Sequence, residues 1–380
     1  MPENPEPTAR RFLEIAPLVR AVGIASDPKK LILAAVGLLA MAAGAAALDR
    51  GFGAAGPDFA WRRPGPLIRV AEFPAPPDLS ATARLMTEPA LAVVLPFWAS
   101  FARPDGAWSW ARSALMGVWA VAVWGIAGGA IARIAVVQAA EGRGVGLGSA
   151  ARFALGRAVA LIAAPLTPIL ASMIFAAGLA GFGLLYRIPG GVGATVAAFL
   201  GFLPLLAGLV MALILLGLAA GWPLMIVTVA AEGEDAPDAL SRAYSYVNQR
   251  LARYATHAAV AWGIGAVALG LVIAFARVVL GLADRGVALG MPARPVATDL
   301  SETVRGGWAL LVGLLVHAWI YSYFWSAASI LYLILRRDVD GAEWHDVYQP
   351  EHEADAFAGG PGAETEPREA APEAAEAGPA

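Results

Sequence analysis

Six stretches of this chain are each apolar over about the length a helix needs to cross a bilayer, and nothing else in it constrains the fold as strongly. A hydrocarbon core about 30 Å thick takes about 20 apolar residues in a helix. The stretches are 31–48, 113–137, 158–185, 203–231, 254–276 and 308–335. The first is the shortest and the richest in Ala and Gly. Arg133 is the only charge in the second, one turn from its end, where it is expected to snorkel to the headgroups. Pro165 and Pro168 should kink the third. "RIPGGVG" and a short apolar lead-in, read as a half-helix, precede the fourth. Arg253 and Arg277 bracket the fifth, and Arg305 and Arg336 bracket the sixth.

Composition agrees with a membrane protein. Hydrophobic residues make up 58% of the chain and charged ones 15%, against about 45–50% and about 25% in soluble domains. A net charge of −3 and the lack of any Lys/Arg cluster argue against nucleic acid as a partner. Cysteine is absent, which removes disulfides, thiolate metal sites and cysteine nucleophiles. The first apolar run starts only after Lys29 and Lys30, too late for a cleavable signal, so an uncleaved anchor is expected.

The spans define three parts: an N-terminal cytoplasmic or interfacial segment over 1–30, a polytopic membrane domain over 31–337, and an acidic, mostly disordered tail over 338–380. The tail, from about Pro350 onward, has few large apolar residues and cannot bury enough surface to fold. In 7–25 the positions Phe12, Ile15, Val19 and Val22 recur at helical spacing, which suggests a helix on the membrane surface, interrupted near Pro17. The connector 49–112 holds "PALAVVLPFWASF", too short and proline-broken to span, and is read as interfacial. With six spans both termini share a side. Arginines in the 137–158 and 231–254 loops place that side in the cytoplasm of a bacterial inner membrane.

Those two loops look alike. "VVQAAEGRGVGLGSAARFALGRA" and "VTVAAEGEDAPDALSRAYSYVNQRL" share AAEG, a Gly/Pro linker and a small-residue helix start carrying Arg152 or Arg242. Each follows one span and precedes another, as in a parallel duplication of helix, cytoplasmic elbow and helix. The expected fold is therefore an all-α integral membrane protein of about six transmembrane helices. It has two related elbow units, interfacial amphipathic helices and a disordered tail.

In the second elbow, Gly233 suits a helix end, Asp235 or Ala236 a cap, Pro237 the first turn and Asp238 the positive end of the helix dipole. Leu240, Ala243, Tyr244, Val247 and Leu251 then recur at helical spacing, with tyrosine rings expected at headgroup depth. Glu141, Arg152, Glu232, Asp235, Asp238, Ser241, Arg242 and Tyr244 form a candidate elbow site for a lipid headgroup or partner. The competing reading gives the same carboxylates a capping and salt-bridging job. His317, with Tyr321 one turn on, is the candidate intramembrane polar site. A neutral histidine bonded to a neighbouring helix is expected, because no acidic residue lies within any span. Glu343, His345, Asp346 and His352 make a weak ligand set in the tail, and nothing points to a cofactor or metal. Gly125 with Gly129, and Gly217 with Gly221, allow close helix approach within the bundle or between copies of the chain.

The segments "GGAIARIAVVQAAEG", "LGSAARFALGRAVALIAAPLTP", "GWPLMIVTVAAEGEDAPDALSRAYSYVNQR" and "YFWSAASILYLILRRDVDG" resemble a group of uncharacterised multi-pass membrane proteins of planctomycete-type bacteria. The resemblance runs from the second span to the start of the tail, and "DALSRAYSYV" and "LRRDVDG" are its most specific parts. The elbow is also distantly similar to those of the Yip family and of membrane domains fused to glycerophosphodiester phosphodiesterases; no phosphodiesterase domain is present here. The resemblance implies architecture and no activity. Pro237 departs from it, standing where an apolar residue is expected. No HExxH, GxSxG, P-loop or paired intramembrane aspartates occur. The expected function is a non-enzymatic scaffold that binds lipids or a protein partner through its elbows. The alternative is a small-solute or ion transporter or channel.

Overall fold

The computed structural model describes residues 7–52, 68–75, 78–102, 107–291 and 298–348. The described residues are helical, with no strand among them. Helices α1 (Pro7–Ala25) and α2 (Pro28–Phe52) precede the connector, which folds as α3 (Leu79–Leu85), α4 (Glu88–Leu91) and α5 (Val94–Ala102). Then come α6 (Ala107–Glu141), α7 (Leu147–Gly156), α8 (Ala158–Gly183), α9 (Val192–Phe199) and α10 (Phe202–Glu232). Helices α11 (Ala236–Gln249), α12 (Leu251–Gly290) and α13 (Asp299–Asp340) complete the order. Six helices (α2, α6, α8, α10, α12 and α13) are long and apolar enough to cross a membrane. The chain is a multi-pass α-helical membrane protein.

Three of these spans stop in the same way. An acidic residue ends the helix and a glycine follows: Glu141–Gly142, Glu232–Gly233 and Asp340–Gly341. The glycines have φ of 71°, 68° and 68°, the left-handed conformation that an L side chain resists. The chain can therefore turn sharply into α7 or α11 at the elbow end of the bundle.

Glycine also sets how closely the spans approach. A Cβ on Gly125 would stand 3.0 Å from the Leu161 carbonyl oxygen of α8, and one on Gly129 2.8 Å from the Leu161 side chain. Gly128 leaves the notch that Trp325 of α13 fills. Without a hydrophobic force between helices in lipid, such fits supply much of the attraction. Gly217 serves differently: it receives the Tyr244 ring of α11, and nothing but the Met225 tip lies near Gly221.

Several expectations need correction. Helix α1 runs through Pro17 without interruption. It is no free surface helix, for Leu18, Ala21 and Ala25 are buried against the bundle while Val19 is exposed. The Ala25 carbonyl accepts the Ser322 hydroxyl of α13 at 2.7 Å. Arg133 does not snorkel; it is buried, donates to the Ala230 carbonyl at 3.1 Å and lies over the Phe153 ring at 4.9 Å. Helix α13 extends past 337, so Asp338 and Asp340 belong to it, and Val347 beyond is buried. The tail from 349, His352 included, lies outside the described residues.

The largest correction concerns the connector. Val70, Phe73, Met86, Ala92, Val93 and Phe97 are buried in the common core, so this segment is packed between the spans and not laid over them. Its helix α3 is capped by Asp78, whose carboxylate accepts from the Ala81 N–H at 3.0 Å and the Ser80 hydroxyl at 2.8 Å. Those bonds hold its pKa below the ordinary value.

The notch at Gly128 gives a test with a sign. Gly128→Ala should cost about 1–3 kcal/mol through collision with the Trp325 ring. Gly178→Ala, with nothing within 4 Å, should gain up to about 1 kcal/mol from helix propensity. Thermal unfolding of both variants in one detergent reads the opposite shifts.

Candidate functional site

At the elbow end, charges from three elements converge on Glu232. Its carboxylate closes α10, is 8% exposed, and lies 3.1 Å from Nε of Arg336 on α13. It also accepts the Tyr332 hydroxyl of α13 and pairs with Arg242 of α11. Arg242 reaches Glu234 as well, at 2.9 Å. Tyr246 donates to Asp340, and Arg253 pairs with Asp338 at 2.7 Å. Burial works against the charge of Arg242, but Glu232 and Glu234 outweigh it and its pKa lies above the usual arginine value. Burial, then the bond to Asp340, raises the Tyr246 hydroxyl so far that it stays protonated.

This network gathers Glu232 and Arg242 from the expected elbow site and adds Glu234, Tyr246, Tyr332, Arg336 and Asp340. Asp235 begins α11 with no side-chain capping bond, and Asp235, Asp238 and Ser241 are exposed and outside the cluster. Tyr244 leaves the headgroup role expected of it: its ring packs over Gly217 and its hydroxyl donates to the Ile214 carbonyl at 3.0 Å. Tyr246 is fully buried. In the first elbow Glu141 pairs with Arg143, and Arg152 is exposed. Lys29 reaches that elbow by donating to the Val145 carbonyl at 3.0 Å. Among the described residues no group of three or more acidic or histidine side chains could hold a metal.

Deeper in the bundle the connector supplies what the spans lack. His317 Nε2 donates to Oε2 of Glu88 on α4 at 2.9 Å, and His317 is 7% exposed. The histidine's partner is therefore a carboxylate of the connector, which supplies from outside the spans the acidic residue that no span contains. Tyr321 is buried and stacked on Trp124 of α6 at 4.1 Å. Three more donors grip connector carbonyls: Trp222 of α10 takes Ala90 at 3.0 Å, Trp262 of α12 takes Ala83 at 3.1 Å, and Arg277 takes Phe73 at 2.6 Å. Trp222 stands about 15 Å along α10 from Glu232, half the thickness of a hydrocarbon core about 30 Å thick. His317 and Tyr321 were legible in the sequence, whereas the only signal for the connector's part of this site was a glutamate before a proline in apolar surroundings, at "TEPAL".

The inserted connector separates two cavities. One, of about 570 Å³, lies between α4, α10, α12 and α13 and is lined by Ala90, Leu91, Pro223, Ala258, Phe324 and Leu331 among others. Exposed Ala219, Ala259 and Trp262 form part of its wall, so it is an open groove. The other, of about 470 Å³, lies between α2, the connector and α13 and contains the His317–Glu88 pair. The fold and these sites define a polytopic helical membrane protein whose connector packs against the spans. No family model, curated protein or solved structure matches the chain.

Removing the shared carboxylate should be severe. Glu232→Ala is expected to cost about 3 kcal/mol, because Arg336 and the buried Tyr332 hydroxyl lose their carboxylate while the more exposed Arg242 keeps Glu234. Tyr246→Phe should cost about 1.5–3 kcal/mol, as the loss of a bond to a charged group. Exposed Asp238→Ala should stay within about 0.5–1 kcal/mol. Unfolding temperatures in a common detergent give the order.

Proposed function

We propose that this is a non-enzymatic multi-pass protein of the bacterial inner membrane, both termini cytoplasmic, acting as a lipid-binding scaffold. The supporting observation is the apolar groove between α10, α12, α13 and the connector helix α4. Its volume falls within the about 300–1,000 Å³ of ligand sites, and it opens between spans, where acyl chains are what can fill it. Helix α12 packs on α13, α3 and α1, while α10 packs on α8, α11, α6 and also α13, and the groove lies between α10 and α12 with α13 shared by both. The elbow network in this reading is a frame that fixes the helix ends. The exposed elbow residues outside that network, Asp235, Asp238 and Ser241 in the second elbow and Arg152 in the first, are the face left for a protein partner or lipid headgroups. The likeness of the two elbows, each opened by a left-handed glycine, supports the duplicated-unit reading.

The test fills the groove. Ala259→Trp together with Ala219→Phe should lower the lipid that co-purifies with the protein, measured by mass spectrometry, at unchanged unfolding temperature. Unchanged lipid stoichiometry would remove the reading.

One observation favours the alternative, a small-solute or ion transporter: His317 has an acidic partner beside a cavity. Proton or solute flux into proteoliposomes that vanishes in His317→Ala would establish transport in place of the scaffold role. On the scaffold reading no flux above empty liposomes is expected.

A further inference from the structure

The second cavity has two unlike walls. Leu38, Met41 and Ala42 of α2 make one side apolar; the connector and α13 bring Glu72, Arg84, Glu88 and His317 to the other. His317 lies about 28 Å along α13 from Arg336, close to the full thickness of a hydrocarbon core of about 30 Å. The cavity therefore sits where chains meet headgroups in the leaflet away from the elbows. Its charges are mixed. Glu88 is shared with His317, Glu72 is exposed and accepts a long 3.4 Å bond from the Arg69 N–H, and Arg84 is exposed. Nearby Asp78 is occupied by Ala81 and Ser80, although it also feels the Arg84 charge, and Arg277 is committed to the Phe73 carbonyl.

Such a chamber suits an amphiphile whose head carries both signs. The carboxylates would take an ammonium, Arg84 a phosphate, and α2 the upper part of an acyl chain. The form of the ammonium follows from what lines the wall. Carboxylates reward N–H donors, whereas a quaternary ammonium is held by aromatic cages. Tyr321 is the one aromatic residue lining this cavity among the described residues, and Trp124 is stacked on one of its faces.

We propose that this cavity is a headgroup site for phospholipids bearing a primary ammonium, of the ethanolamine type, in the leaflet opposite the elbows. It deepens the lipid-binding reading and rests on it. The full chain is placed in nanodiscs of equal parts ethanolamine, choline and glycerol phospholipid, then re-extracted, and the retained lipid is quantified. Ethanolamine lipid should be enriched about tenfold or more over choline lipid, the scale of one charge-assisted bond. Glu72→Gln, at the exposed rim and outside the ion pair, should reduce that enrichment to near parity, and Arg84→Ala, which removes the phosphate contact that all three lipids share, should lower the ethanolamine lipid retained, neither unfolding the protein. Water-soluble phosphoethanolamine should fail to displace the lipid, since the α2 wall is part of the site; displacement would overturn the lipid assignment in favour of a free zwitterion. Equal retention of the headgroups, enrichment that survives Glu72→Gln, or ethanolamine lipid undiminished in Arg84→Ala would overturn the proposal. In Ala259→Trp with Ala219→Phe the total lipid should fall while the ratio holds, so failure of the groove and failure of this site read out separately.

Discussion

Backbone polar groups cannot be left bare where water is absent, and this requirement organises the molecule. Helices meet it internally. The connector between α2 and α6 cannot, because its helices are short and broken by prolines. Its carbonyls at Phe73, Ala83 and Ala90 are met by Arg277, Trp262 and Trp222, donors from two different spans. The His317–Glu88 pair fixes it to a third. A segment held in this way acts as a wedge. It keeps α10 and α12 apart and creates a cavity on each side of α4.

The elbow end shows a different economy of charge. Glu232 serves two arginines and a tyrosine, so the ends of α10, α11 and α13 are joined through one carboxylate. Each partner offsets part of the desolvation of the others, and loss of any one leaves a charge behind. The bulk of the bundle needs no such device. Its spans are brought together at glycines: Gly125 admits the Leu161 backbone, Gly129 the Leu161 side chain and Gly128 the Trp325 ring of a neighbouring helix.

The six spans were legible because hydrophobic length is a local property, and the observed helices contain all six expected stretches almost entirely. The glycine stops at Gly142 and Gly233 and the start of α11 were legible for the same reason. What the sequence hid were contacts between residues far apart in the chain. Glu88 and His317 are separated by more than half its length, and no periodicity links them. Arg133 looked like a residue reaching for headgroups because its acceptor, Ala230, belongs to another span. Tyr244 and Tyr246 fitted an interfacial belt by position, yet one fills the space above Gly217 and the other turns inward to Asp340. The prolines of the connector argued correctly against a span, but they carried no information about insertion between other spans.

The insertion of the connector is the central claim, and thiol accessibility tests it most directly. The chain has no native cysteine, so single cysteines can be placed at Ser80, Ala92 and Val93 and treated with a membrane-impermeant maleimide. Exposed Ser80 should label readily, whereas positions 92 and 93, which are 1% and 0% exposed, should label only after denaturation. Equal labelling of all three in the folded protein would mean that the connector lies on the membrane surface, and the wedge, with both cavities, would be wrong.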